Sequence, residues 1–284
     1  MNFTSYPLLN KIITTQLEVF PQHYNYLEKR FRNETPQMLE LLEELAAKIL
    51  MISGDNLRSC CEEYKILCDI LLDEEIQFRR TKRYRVTTIK EVQELVYSNN
   101  SQMQTHLRGR LLSHLWWANH FNTFHFFKEV FLPSFKSDFD LLEVGPGHGM
   151  FLSYAVSHKH CKNATAWDIS KTSIAETKST LKSLGVKQPI DFQLRDMIIK
   201  PKGKFDMIIL SEVLEHLEEP HKALVALHGC LRPGGRLFLN VPTNSPTPDH
   251  IYLFRHPDEI IQVAQNAGFK IEDKRFFAVS NSSL

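Results

Sequence analysis

The rhythm of apolar positions changes part-way along the chain. Before about residue 135 apolar side chains recur at helical spacing. Met38, Leu39, Leu41, Leu42, Leu45 and Ile49 share one face and predict a helix over 34–52. Cys60, Tyr64, Leu67, Cys68, Leu71 and Leu72 do the same for 56–80. Thr88 followed by Glu91 reads as a capping box and starts a third helix over 89–98. A fourth, over 101–131, is densely aromatic: Trp116, Trp117, Phe121, Phe124, Phe126, Phe127. Gly54 and Gly109 are the only glycines in this half, and it shows neither repeats nor strand alternation.

After residue 136 short apolar runs alternate with helical stretches. Strands are predicted at 140–144, 164–167, 191–194, 205–210, 236–241 and 270–279. Helices are predicted at 150–157, 173–184, 221–230 and 257–267. Strand–helix alternation means βαβ units, hence an α/β fold with a parallel sheet covered on both faces. Two domains are expected: a helical one over 1–135 and an α/β one over 136–284, with the boundary near 133–137.

Composition changes this picture little. Of 284 residues 43% are hydrophobic and 24% charged, which excludes low-complexity and wholly disordered classes. The net charge of +1 gives no global pull toward nucleic acid or anionic membrane. Five cysteines without a CxxC pair speak against a disulfide framework or a thiolate zinc site. No apolar stretch approaches the ~20 residues that span a bilayer, and no secretory signal is visible at the start. A soluble, cytoplasmic protein is expected.

The informative stretch is Leu142-Glu143-Val144-Gly145-Pro146-Gly147-His148-Gly149, between a strand and a helix. Ligands bind at that edge of such sheets. Its GxGxG spacing differs from the dinucleotide GxGxxG, because Met150 stands where the third glycine would be. Glu143, just before the loop, can hold an ammonium group and would repel a pyrophosphate. Asp168 ends the second strand, 25 residues later, placed to accept two ribose hydroxyls. Asp196 follows the third strand and can meet an adenine amino group, with Met197 or Ile169 packing on the ring.

Together with Phe205-Asp206 and the turn Leu231-Arg-Pro-Gly-Gly-Arg236, these residues resemble the class I S-adenosylmethionine-dependent methyltransferases over about 136–284. The resemblance implies a Rossmann-like sheet with an N-terminal all-helical domain, which would act as a lid or dimer arm. It implies S-adenosyl-L-methionine as cofactor. Glu143, Gly145, Gly147 and Gly149 would contact its methionine half, Asp168 the ribose, Ile169, Asp196 and Met197 the adenine, and Ser211 would border the sulfonium. The family sheet usually ends in an antiparallel pair of strands. After 270–279 only Ser280-Asn-Ser-Ser-Leu284 remains, so either the seventh strand is missing or the chain is shorter than its relatives, which leaves that sheet edge open.

Methyl transfer is an in-line displacement, so acceptor chemistry is mostly positioning, with a base where the acceptor must lose a proton. Strand four runs into Ser211-Glu212-Val213-Leu214-Glu215-His216. His216 and Glu212 are the catalytic candidates, His216 as base. ExxEH also resembles the metal site of small-RNA 3′-terminal 2′-O-methyltransferases, with His250 as a second histidine. That leaves metal dependence open, although turnover insensitive to chelators is expected. Trp117, His250 and Tyr252 are the substrate-contact candidates. The run Arg79-Arg80-Thr-Lys82-Arg83-Tyr-Arg85 reads as a solvated helix end in preference to a nucleic-acid contact. The expected acceptor is a small molecule, with RNA or a silent cofactor-binding scaffold as alternatives. A homodimer is compatible with the helical half.

Overall fold

The computed structural model describes residues 3–94, 109–199 and 201–279. These divide into two compact units. One comprises 3–69, 109–126 and 277–279; the other comprises 70–94, 127–199 and 201–276.

The first unit is helical. The helices predicted over 34–52 and 56–80 are present as α3 (Pro36–Ser53) and α4 (Leu57–Thr81), the division between units falling within α4. Two further helices precede them, α1 (Pro7–Val19) and α2 (Tyr24–Phe31). Leu9, Ile12, Ile13 and Gln16 form the buried face of α1, a spacing that marks a helix. The Glu43 carboxylate on α3 accepts the N–H groups of Leu8 (2.9 Å) and Leu9 (2.8 Å), satisfying donors that the first turn of α1 leaves open. Residues 109–116 form α6, counting as α5 the single described turn Ile89–Val92 that the Thr88–Glu91 capping box starts. α7 is Ala118–Phe126. Trp116, Phe121 and Phe124 are fully buried in this unit. The remainder of the predicted helices over 89–98 and 101–131 lies partly outside the described residues.

In the second unit five parallel strands lie in the order β3-β2-β1-β4-β5. They are β1 (Phe139–Val144), β2 (Cys161–Asp168), β3 (Ile190–Leu194), β4 (Phe205–Ser211) and β5 (Leu231–Asn240). The connecting helices are α8 (Met150–Val156), α9 (Lys171–Ser183) and α10 (Pro220–Cys230), and α11 (Pro257–Asn266) follows β5. Alternate residues of the central strands feed opposite cores. Leu142, Val144, Ile208 and Leu210 pack with Leu224, Leu227 and Ala264 from α10 and α11. On the other face Phe127, Phe151 and Phe238 meet edge to face or tilted, with centroids 5.0–5.7 Å apart. Among the described residues no helix is long and apolar enough to cross a membrane.

The strand predicted over 270–279 is not formed. Residues 269–279 carry no strand assignment. Phe269 and Ile271 pack against the core beside β5, whereas 272–276 are exposed and Phe276 is 60% accessible. The alternation there was too weak to bury one face, and a strand needs that burial to hold its register.

Candidate active site

β1 and β4 are neighbours at the centre of the sheet, and their carboxyl ends open where the chain direction of winding reverses. Gly145 leaves β1 at φ +65, a region costly for residues with a Cβ. A Cβ there would stand 2.8 Å from Val213 Cγ2. Its N–H donates to the Trp167 carbonyl at 2.8 Å, holding the loop against the end of β2. Gly149 (φ +73) caps α8, and a Cβ there would meet Thr177 Cγ2 at 3.0 Å. Thr177 on α9 donates its hydroxyl to the carbonyl of Gly147 at 2.6 Å. The loop is therefore fastened from β2 and from α9, and a Cβ at Gly147 would meet nothing within 4 Å.

Glu143, the last residue but one of β1, is 3% exposed, and its Oε2 has no hydrogen-bond partner. Burial pushes its carboxyl well above the usual range. Asp168 ends β2. Its Oδ1 accepts the Ser170 N–H (2.8 Å) and its Oδ2 the Ser173 hydroxyl (2.7 Å), so it also anchors the start of α9. Burial raises its pKa, with these hydrogen bonds pulling the other way. A carboxylate has about four lone-pair sites, so these contacts do not exhaust its capacity to accept. Asp196 is exposed and accepts the Ile198 N–H at 2.7 Å. The two apolar adenine candidates part company: Ile169 is 68% exposed, whereas Met197 is buried in the core with Trp167.

At the end of β4 the Ser211 hydroxyl and Glu212 Oε1 both accept from the Asn240 amide, at 3.1 and 2.8 Å. Asn240 lies opposite Ser211 in the register and was not singled out by the sequence reading. Glu212 sits at φ +56, and its N–H donates to the Asn240 carbonyl at 2.9 Å. Glu212 is not one of the three side chains that converge next.

A 3-10 turn, Leu214–His216, then brings Glu215 and His216 together with His250. Glu215 and His250 are buried and His216 is partly so. One ligand atom from each lies within 4.8 Å of the others. The loop carrying His250 is fixed to the turn through backbone: Ile251 and Tyr252 N–H both donate to the Glu215 carbonyl, at 2.8 and 2.9 Å. His216 Nδ1 lies 2.9 Å from the Asp249 carbonyl and His250 Nδ1 2.6 Å from the Ser245 carbonyl. A carbonyl only accepts, so each Nδ1 carries a proton and, in the neutral rings, each Nε2 carries the lone pair. Those Nε2 atoms lie 4.0 Å (His216) and 3.9 Å (His250) from Glu215 Oε1. The rings are nearly perpendicular, with centroids 4.8 Å apart.

Two further substrate candidates are Tyr252, on the same loop as His250, and Trp117. Tyr252 is 37% exposed against Phe254. Trp117 belongs to the helical unit, where its Nε1 donates to the Tyr64 hydroxyl at 2.8 Å. In the basic run Arg79 pairs with Glu75, and Arg85 with Asp73 and Glu74. Within that run Tyr84 is buried and packs on His250, ring centroids 5.8 Å apart. The sequence signal for it was the alternation of Tyr84 and Val86 among charged neighbours.

A family model described as a methyltransferase domain matches residues 116–274, more than half of the chain. The chain belongs to the class I S-adenosylmethionine-dependent methyltransferases. It is 27% identical over 186 residues to a ubiquinone biosynthesis O-methyltransferase of Coxiella burnetii (strain Dugway 5J108-111), covering 56% of this chain and 78% of that protein. A protein of the same description from Xanthomonas euvesicatoria pv. vesicatoria (strain 85-10) is 26% identical over 155 residues, 47% of this chain and 63% of the relative. The mitomycin 7-O-methyltransferase MmcR shares the fold with a TM-score of 0.55 at 12% identity, over 81% of this chain and 70% of its own. The bare glycine loop and the buried Glu143 Oε2 fit the cofactor of this family. An ammonium placed there would give that carboxylate the opposite charge it needs to ionise. S-adenosylmethionine supplies a methyl group on a positively charged sulfur.

Proposed function

We propose that this methyltransferase acts on a hydroxyl group of a small molecule, with Glu215, His216 and His250 holding a divalent cation beside the acceptor oxygen. The convergence of one carboxylate and two imidazoles, each ring turned Nε2-first by a backbone carbonyl, is the observation that carries this reading. Metal-binding histidines typically donate their other N–H in this way. The separations of 3.9 and 4.0 Å are too long for hydrogen bonds. They fall within the span of two ligands each ~2.1 Å from one ion. Two imidazoles and a carboxylate suit manganese or zinc better than magnesium. An ion held by these three residues would lower the pKa of a bound hydroxyl, the task otherwise asked of a histidine base.

Glu143, the glycine loop and Asp168 hold the cofactor in the same reading, and Ser211 borders the methyl. The O-methyltransferase names of the curated relatives support oxygen as acceptor atom. The net charge of +1 and the acidic pairing of Arg79 and Arg85 support a small molecule over nucleic acid. Methylation of a catechol or phenol is measured after treatment with a chelator. Turnover is expected to vanish and to return with added manganese. Full turnover in chelator removes the ion and returns His216 to the role of general base, the expectation drawn from sequence.

A further inference from the structure

Residues 82–88 form an irregular strap between α4 and α5, with Tyr84 and Val86 buried and Arg83 and Arg85 exposed. The strap is held at both ends. Arg85 is tied to Glu74 and Asp73 on α4 (2.8 and 2.9 Å), and the Ile89 N–H donates to Glu218 at 2.7 Å. Arg255 donates to the Lys82 carbonyl at 3.2 Å. Val86 and Val92 bury themselves against Ile251, the residue after His250.

The Tyr84 phenol oxygen reaches the acceptor loop, where it accepts the Ser245 N–H at 3.1 Å. The carbonyl of that same Ser245 accepts from His250 Nδ1 at 2.6 Å. The phenol, the Ser245 peptides and the imidazole thus form a continuous line: Tyr84 fixes the residue whose carbonyl fixes the ring. The Tyr84 ring also lies against His250 at 61°. We propose that Tyr84 is a positioning residue of the acceptor centre, setting the tautomer and direction of His250 through Ser245 so that Nε2 faces Glu215.

The inference rests on the acceptor role given above to His250, but not on the ion itself. It is tested on the full chain labelled with ¹⁵N-histidine, in chelator, with the His250 resonances identified by their loss in His250→Gln. Wild type should show a protonated Nδ1 and a lone-pair Nε2. Tyr84→Phe, which keeps the ring and removes the acceptor, should move both resonances toward the average of two tautomers. It should also lower kcat about tenfold with the KM for S-adenosylmethionine unchanged. Val86→Ala loosens the same strap without touching the hydroxyl, and should leave the His250 resonances in place. Unchanged resonances in Tyr84→Phe, or equal changes in both variants, overturn the proposal. Chelator-insensitive turnover of the wild type would remove the cation while leaving this spectroscopic outcome decisive.

Discussion

Two buried glutamates mark the two sides of the carboxyl edge, and they are handled differently. Glu143 lies one residue before the end of β1, with Oε2 lacking a hydrogen-bond partner and its pKa driven up by burial. Glu215 follows β4 in a short turn, wholly buried, with the Nε2 atoms of two histidines 3.9 and 4.0 Å from its Oε1. A lone buried carboxylate stays protonated until a positive group arrives, because ionising it in an apolar setting is expensive. A carboxylate among imidazole lone pairs makes a site that several ligands share. In the proposed function the first takes its cation from the cofactor and the second from a metal ion. The contrast teaches that buried acids at neighbouring strand ends acquire different chemistry from what surrounds them, not from their depth.

The largest effects should separate the two sides. His216→Ala and His250→Ala each remove one imidazole from the acceptor centre, and turnover is expected to fall about 10²–10⁴-fold. S-adenosylhomocysteine should still bind both variants at near wild-type affinity by calorimetry. Loss of that binding would mean the acceptor centre and the cofactor cradle are one unit. Gly145→Ala should do the reverse. It forces a Cβ into the left-handed region, costing about 1–2 kcal/mol, and sets it 2.8 Å from Val213 Cγ2. Cofactor affinity should drop about thirtyfold, equivalent to roughly 2 kcal/mol. Manganese binding at the histidines should survive. Unaltered cofactor affinity in Gly145→Ala would show that the loop yields where it is described as fastened.

What the sequence revealed of each side follows from how each is built. Glu143, Gly145, Gly147, Gly149 and Asp168 lie at consecutive strand ends, so strand–helix alternation places them without tertiary knowledge. The acceptor centre depends on loop-to-turn hydrogen bonds between residues far apart in the chain. Those from Ile251 and Tyr252 to the Glu215 carbonyl and from Ser245 to Tyr84 leave no local pattern. Glu212 and Glu215 look alike in ExxEH, yet Glu212 is taken by Asn240 across the β4–β5 register. α1 carries the same kind of local signal as α3, with Leu9, Ile12, Ile13 and Gln16 at helical spacing and Pro7 at its first position. Conversely, a strand is expected over 270–279, but the charged run Glu272-Asp-Lys-Arg275 breaks the alternation and residues 272–276 stay exposed.

The smallest expected effect tests the lone carboxylate itself. Glu143→Gln keeps the shape and removes the charge. In the cofactor-free protein the folded pKa of Glu143 lies above the unfolded value. Between those two values the unfolded chain has released a proton that the native chain still binds. Stability therefore falls as pH rises through this window, which opens near 4.5 and closes at the raised folded pKa. Glutamine does not titrate, so the variant should lose this part of the slope and melt higher than wild type at neutral pH without cofactor. With S-adenosylhomocysteine, which keeps the ammonium, the order should narrow or invert. The charged partner favours the ionised carboxylate, and one charge-assisted hydrogen bond of about 1.5 kcal/mol should be missing in the variant, about tenfold in affinity. Melting curves between pH 5 and 8, with and without the ligand, read both effects from the same two proteins. A variant that melts higher and binds as tightly as wild type would leave Glu143 as a buried acid with no ammonium to hold, and the two glutamates would no longer differ in the way their surroundings imply.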